Sequence, residues 1–170
     1  MKIAYLNPDL EKLNDKLRGA LAGVAGLSSD EIKACRWRAM NMPDPLTELT
    51  GTQRELVAEL KAAVDFAEAH DLGGVVGWCM AASQGQSIED TGFDIDAIIS
   101  DFVLSHVSSP AEILDVGAGT GRRSWPLARQ GHRISLFDPA AGFLDAAYET
   151  ARAKGIEGCV ADLMCGTFKD

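Results

Sequence analysis

The spacing of apolar residues along the chain changes near residue 110. Before that point apolar residues recur every three or four positions, which is typical of one face of an amphipathic helix. This spacing predicts helices over residues 10–24, 29–41, 50–70 and 93–107, the second of them capped by Ser28 or Ser29. Residues 1–109 are therefore expected to form a mainly helical N-terminal region that serves as a lid, a substrate surface or an oligomerisation surface.

Three segments of that region are less definite. Residues 1–9 read as a short strand that stops at Asn7-Pro8, or as a loosely docked arm. The apolar run at 75–82 fits a buried strand or a short helix, because periodicity does not separate the two over so few residues. Residues 83–92, "SQGQSIEDTG", are typical of a loop.

After Pro110 short apolar runs alternate with helical patterns. Strands are predicted at 112–117, 132–138 and 156–163, and helices at 121–131 and 141–155, each closed by a glycine. Strands and helices that alternate at this spacing indicate a parallel sheet of the α/β class. We therefore expect a Rossmann-like domain over residues 110–170.

The candidate chemistry lies where these predicted strands end. The stretch "ILDVGAGTGRR" runs from an apolar strand through Asp115 into glycines at 117, 119 and 121. Glycines let the backbone turn sharply and let a ligand approach it closely, and ligands of open α/β sheets bind at the carboxyl ends of the strands. Asp115, Asp138 and Asp162 are each predicted at such an end.

Composition and charge limit the classes of ligand that the protein is expected to bind and the cellular compartment in which it is expected to reside. The net charge is −9, and residues 62–121 hold ten acidic residues and no Lys or Arg. An acidic surface disfavours nucleic acid as a partner. No apolar run is long enough to span a bilayer, and the first residues do not form a secretory signal. The four cysteines contain no C-x-x-C pair, so we expect reduced thiols in a cytoplasmic protein and no metal site.

The glycine spacing favours one family over another. A dinucleotide fingerprint has G-x-G-x-x-G, whereas here the third glycine comes one place earlier and Arg122 follows it. "LDVGAGTGR" is similar to motif I of the class I S-adenosylmethionine-dependent methyltransferases. "ISLFDPA", "AGFLDAAYETARAKG" and "CVADL" resemble the second strand, the following helix and the third strand of that family. The resemblance covers residues 110–166, about a third of the chain.

The resemblance implies a role for each matching position. Asp115 would face the cationic methionine end of S-adenosylmethionine, and Asp138 would accept hydrogen bonds from both ribose hydroxyls. Asp162 would accept from the adenine amino group, beside the Leu163 backbone. The remaining implied cofactor contacts are Gly117, Ala118, Gly119 and Gly121 along the methionine and ribose, and Pro139 with Ala140 at the adenine. S-adenosylhomocysteine would be the product, and the catalytic residues are not identified.

The resemblance also raises the question of which residues bind the molecule that accepts the methyl group. In the family the strand that matches "EILDV" is central, and acceptor contacts follow a fourth strand that we do not find before residue 170. We therefore expect an incomplete chain, a partner or self-association along an open edge at "EILDV", or substitute strands from residues 2–6 and 74–80. The leading function is methylation of a small molecule. The alternatives are a non-catalytic binding or interaction module and, with less support, a nicotinamide-dependent dehydrogenase.

Several conspicuous residues are assigned structural roles. Arg122 and Arg123 are expected on the surface, and Trp125 in packing. His106 is expected in the core or an interface, and His132 in solvent. Core packing is also expected of Trp37, Trp78 and Met80.

Overall fold

The chain forms an α/β structure in a computed structural model that describes residues 1–83 and 95–170. Within these residues a four-stranded, all-parallel sheet is accompanied by seven α-helices, an architecture consistent with a Rossmann-like fold. The predicted loop at 83–92 and the start of the helix predicted at 93 lie almost wholly outside the described residues. The helices are α1 Pro8–Ala22, α2 Ser29–Asn41, α3 Gly51–Ala69, α4 Gly73–Ser83, α5 Ile95–His106, α6 Ser124–Arg129 and α7 Ala141–Ala153.

Local sequence signals explain where the N-terminal helices begin. The Asn7 side chain accepts hydrogen bonds from the backbone N–H groups of Asp9 and Leu10, and Pro8 occupies the first helical turn of α1. Ser28 caps α2 in a capping box with Glu31, which settles the choice between Ser28 and Ser29. Residues 75–82 lie within α4, so the choice between a buried strand and a short helix is decided in favour of the helix.

The strands are β1 Ala4–Tyr5, β2 Glu112–Val116, β3 Arg133–Phe137 and β4 Val160–Cys165, in the order β1-β4-β3-β2. The prediction that residues 2–6 or 74–80 complete the sheet beside "EILDV" is wrong. Residues 4 and 5 do form a strand, but it pairs with β4 at the opposite edge of the sheet, and residues 74–80 are helical. In the described part of the chain β2 pairs only with β3, so it is an edge strand.

The third predicted strand is displaced along the sequence. Residues 157–159 form a 3-10 turn, and β4 begins only at Val160. β4 continues to Cys165 because Leu163 and Met164 pair with β3, and Met164 and Cys165 pair with β1. Asp162 therefore lies in the middle of β4, and its prediction at a carboxyl end is wrong.

The two faces of the sheet differ in how they are covered. Ile134, Leu136 and Leu163 lie on one face, are at most 2% exposed and belong to the hydrophobic core shared with the helices. The opposite face carries Leu114 and Val116, which are 55% and 46% exposed. The same face carries the polar side chains of Ser135 and Asp162, so its exposed apolar part is confined to the β2 edge. Parallel sheets are normally covered on both faces, so these exposed apolar residues are unusual.

Candidate functional site

The candidate site is the turn that leaves the carboxyl end of β2. Its three glycines, Gly117, Gly119 and Gly121, all have positive φ, between 53° and 74°. The N–H groups of Gly117 and of its neighbour Ala118 both donate to the Phe137 carbonyl, which fixes the turn against the end of β3. A cavity of about 150 Å³ opens at this turn. It is lined by Asp115, Gly117, Ala118, Gly119, Thr120, Arg122 and Arg123.

The glycines of the turn have different surroundings. A Cβ at Gly117 or Gly119 would meet no atom within 4 Å, so bare backbone faces open space there. A Cβ at Gly121 would lie 2.3 Å from the Trp125 ring. Gly121 is therefore required for the packing of Trp125, and it is absent from the lining of the cavity, unlike the other two.

Asp115 is the carboxylate of the cavity. It is the penultimate residue of β2, and one of its oxygens accepts a hydrogen bond of 2.6 Å from the Ser124 hydroxyl. Ser124 is the first residue of α6 and is only 1% exposed, so this bond fixes the carboxylate from its buried side. The half-buried carboxylate keeps acceptor capacity for a cationic or hydrogen-bonding ligand.

Asp138 follows the last residue of β3 and is 6% exposed. One carboxylate oxygen accepts from the Gly119 N–H at 2.8 Å, and the other accepts from the Ala140 N–H at 2.9 Å. Burial raises the pKa of this carboxyl above its usual range, against the opposing effect of the two backbone hydrogen bonds. The nearby Asp115 charge also raises that pKa. Asp138 thus connects the glycine turn to the start of α7.

The turn after Asp138 is held by the N-terminal helices. The carbonyl of Pro139 accepts hydrogen bonds from the Asn14 amide at 3.2 Å and from the Cys79 and Cys165 thiols at 3.4 and 3.3 Å. Burial raises the pKa of the Cys79 thiol to about 12 and also raises that of Cys165, so both thiols remain protonated donors near neutral pH.

Asn14 makes the most extensive contact across this boundary. It is fully buried on α1, donates to the Leu10 and Pro139 carbonyls, and accepts from the Ala141 N–H. All of its polar atoms are therefore engaged, and α1 is attached directly to the turn that carries Asp138.

The structure brings together most of the predicted site residues but separates others. Asp115, Gly117, Ala118 and Gly119 line one cavity, and Asp138 joins them through the Gly119 N–H. Asp162 is exposed and accepts from the Ser135 hydroxyl at 3.2 Å, while Leu163 is buried in the core. Pro139, Asp162 and Leu163 are not among the residues that line the cavity.

Sequence reasoning missed several contributors to the site. Arg122 and Arg123 are exposed as predicted, but they also line the cavity opposite the glycines. Thr120 lines the cavity as well, and its place inside the glycine motif was the available signal. Asn14 interrupts the apolar stripe of α1, and a polar residue on a buried helix face is a signal of this kind of contact.

Four of the structural assignments need correction. His132 is 1% exposed instead of facing solvent, and neither ring nitrogen has a hydrogen-bond partner. His106 is exposed, so its predicted core placement is wrong, while the interface placement stays a prediction; its ring lies tilted beside that of Phe102, with 4.4 Å between ring centroids. Trp37 and Trp78 are 61% and 59% exposed, so they are not core residues. The predicted packing roles of Met80 and Trp125 are confirmed by exposures of 0% and 4%.

The described residues carry neither a membrane-spanning helix nor a metal-binding cluster. No described helix combines the length and the apolar character that a membrane span requires. Within residues 1–83 and 95–170, no group of three or more His, Cys, Asp or Glu side chains is placed to hold a metal ion. All four cysteines are free. No protein-family model matches the chain, and no curated protein matches it significantly.

Proposed function

We propose that this chain binds S-adenosylmethionine and contributes to the methylation of a small molecule. The observation that carries the proposal is the cavity at the carboxyl end of β2. There a carboxylate, Asp115, faces glycine backbone at Gly117 and Gly119 that has no atom within 4 Å of the Cβ position. When bound, S-adenosylmethionine supplies a methyl group that its sulfonium has already activated.

The lining of the cavity suits one end of such a molecule. Asp115 offers a negative charge to the ammonium and sulfonium groups of the methionine end. The bare backbone at Gly117 and Gly119 leaves room for the aliphatic part of the ligand that joins these two charged groups. A cavity of about 150 Å³ is smaller than the roughly 300–1,000 Å³ typical of complete small-molecule sites, so it corresponds to a part of the ligand.

Asp138 supports the ribose side of the proposal. A carboxylate has about four acceptor positions on its two oxygens, and the Gly119 and Ala140 N–H groups use two of them. The remaining positions suit two neighbouring hydroxyl groups. The mid-strand place of Asp162 gives no comparable support to an adenine contact at that residue.

The acceptor side is proposed to come from further polypeptide beside β2. The open edge of β2 and the exposed side chains of Leu114 and Val116 favour a covering strand and helices. The same observation favours our second candidate, a binding or interaction module that acts only with a partner. In either case the described residues would bind and orient the cofactor, and orientation carries much of the catalysis in a transfer of this kind.

Calorimetric titration of the chain with S-adenosylhomocysteine and with NAD tests the proposal. We expect binding of S-adenosylhomocysteine and none of NAD. Asp115→Asn should weaken binding about tenfold, because a charge-assisted contact contributes roughly 1.5–3 kcal/mol. Glu112→Gln is the matched control, since Glu112 is an exposed acid at the amino end of the same strand. Preference for NAD, or equal effects of the two substitutions, contradicts the proposal.

A further inference from the structure

A second concave surface lies on the outer side of α6 and α7. This basic cleft has a volume of about 350 Å³ and is lined by three cationic side chains, Arg122, Arg129 and Lys154. Arg129 is the last residue of α6, and Lys154 follows the last residue of α7. Trp125 forms part of its wall, and no acidic residue lines it.

The charge of the basic cleft contrasts with that of the chain. The protein carries a net charge of −9, yet three of its sixteen Lys and Arg residues line this one cleft. Arg129 and Lys154 form no ion pair with a described residue, whereas Arg152, near the same end of α7, pairs with Glu149 at 3.0 Å. Cations at the C-terminus of a helix are stabilised by the helix dipole, which accounts for Arg129 and Lys154. Arg122 lies in the glycine turn, so this effect does not account for its position.

Trp125 supplies an independent observation. Its side chain lines the basic cleft and is 4% exposed, and its indole Nε1 is a buried donor without a hydrogen-bond partner. Buried donors are nearly always paired, so this nitrogen, on a side chain that lines the same cleft as three cations, has the capacity to donate to an acceptor on a ligand. Phosphate oxygens are acceptors of this kind, and arginine and lysine are their usual protein partners.

We propose that the basic cleft binds the phosphate or diphosphate group of a small molecule. Its volume lies within the range of small-molecule sites, roughly 300–1,000 Å³. The strongly acidic remainder of the chain repels a long polyanion such as nucleic acid. The cleft shares Thr120 and Arg122 with the cavity at the glycine turn, but it requires none of the residues assigned to S-adenosylmethionine.

Inorganic pyrophosphate is the probe for this site. We expect calorimetry to detect its binding to the whole chain, and Arg129→Gln and Lys154→Gln each to weaken that binding about tenfold. Arg152→Gln is the matched control, because it removes the same charge from the same end of α7 outside the cleft. It should change the affinity less than about twofold, since an exposed charge acts only weakly at a distance.

A fluorescence experiment places the anion without relying on these charge changes. Trp37 and Trp78 are exposed, so a variant with Trp37→Phe and Trp78→Phe leaves Trp125 as the single tryptophan. Pyrophosphate should change its emission, and Lys154→Gln in that background should remove the change.

Four results overturn the proposal. The first is no pyrophosphate binding, and the second is an Arg152→Gln effect equal to that of Lys154→Gln. The third is binding lost in Arg123→Gln but retained in Lys154→Gln, which assigns the anion to the cavity at the glycine turn, because Arg123 lines that cavity and does not line the basic cleft. A duplex oligonucleotide that binds more tightly than pyrophosphate contradicts the small-molecule ligand. None of these outcomes depends on whether S-adenosylhomocysteine binds.

Discussion

At the scale of single residues, Asp138 combines a role in the fold with a role in the proposed site. Its carboxylate is held by two backbone N–H groups, yet burial makes the charged form costly and raises its pKa. The same carboxylate is the proposed ribose acceptor. Its protonation state is therefore expected to affect both stability and ligand binding.

We expect Asp138 to lower stability as the pH rises. The folded chain holds this proton more tightly than the unfolded chain, whose Asp pKa is about 3.9. The stabilising contribution is therefore fully present below about pH 3.9 and is lost as the pH rises through the raised folded pKa. Asp138→Asn cannot titrate at this position. Urea denaturation should show the stability of the wild-type chain falling relative to that of the variant as the pH rises from about 3.9 through the raised folded pKa. A relative stability that rises over this range contradicts the prediction.

Gly119 and Gly121 should respond differently to alanine. Both have positive φ, which costs a side chain roughly 1–2 kcal/mol, but only at Gly121 does the Cβ position lie within 3 Å of Trp125 atoms. Gly121→Ala should therefore destabilise the chain by about 3 kcal/mol or more, and Gly119→Ala by about 1–2 kcal/mol. Thermal or urea unfolding measures both values. Equal losses would mean that Trp125 moves aside without cost.

At the scale of elements, the helices of the N-terminal region position the site. α1 and α4 reach the β3–α7 turn through Asn14 and Cys79. α4 also packs against α7, and Arg18 of α1 pairs with Asp145 of α7 at 2.6 Å. The prediction of a mainly helical region there did not include this contact. The region thus holds the Asp138 turn in place by direct hydrogen bonds to its backbone.

Removing the Asn14 side chain tests that attachment. Asn14→Ala leaves the Ala141 N–H and the Leu10 carbonyl without this partner, and each lost buried partner costs about 1–3 kcal/mol. We expect a total loss of about 2–4 kcal/mol in the free energy of unfolding. Asp15→Ala is the control, because Asp15 is exposed on the next position of α1. If Asn14→Ala lowers the free energy of unfolding no more than the control does, the turn that carries Asp138 is stable without the Asn14 hydrogen bonds.

The contact between α4 and α7 depends on a missing side chain. A Cβ at Gly142 would lie 2.8 Å from the Ala82 carbonyl oxygen, whereas a Cβ at Gly19 in α1 would meet no atom within 4 Å. Glycine inside a helix is ordinarily less stable than alanine by about 0.5–1 kcal/mol. We therefore expect Gly19→Ala to raise the melting temperature and Gly142→Ala to lower it. Stabilisation by both substitutions would show that α4 shifts freely.

At the scale of the whole molecule, the described residues cover one face of the sheet and leave Leu114 and Val116 exposed on the other. β2 is an edge strand in the described part of the chain, and its outward side chains Leu114 and Val116 are exposed. Such an edge with an apolar face is a site for association with other polypeptide. This is the physical basis for the proposed partner or self-association.

We predict that the chain by itself self-associates through this surface. Leu114→Glu should reduce the association, because a charge on an apolar, two-sided contact opposes burial. It should leave stability nearly unchanged, since Leu114 is already 55% exposed. Sedimentation velocity over a range of concentrations measures the first effect, and urea unfolding measures the second. A wild-type chain that stays monomeric at every concentration contradicts the prediction.

The sequence by itself determined the local elements and the class of the fold. Apolar periodicity located most of the helices, and the predicted cap at Ser28 set where α2 begins, whereas Asn7, expected to stop a strand, caps α1. The alternation after Pro110 indicated the parallel sheet, and "LDVGAGTG" located the turn that the structure opens into a cavity. These features depend on residues close to one another in the chain, so a local pattern is enough to find them.

Tertiary structure alone decided everything that depends on pairing between distant segments. Asp162 lies in mid-strand because residues 163 and 164 pair with β3 and residues 164 and 165 pair with β1, and no pattern near Asp162 contains that information. Residues 75–82 became a helix, and residues 4 and 5 a strand at the far edge, by packing against segments remote in sequence. His132 is buried and Trp37 exposed for the same reason. The hydrophobic effect stabilises the arrangement that buries the most apolar surface over the whole chain. The type of a single residue gives only its average preference for burial or exposure.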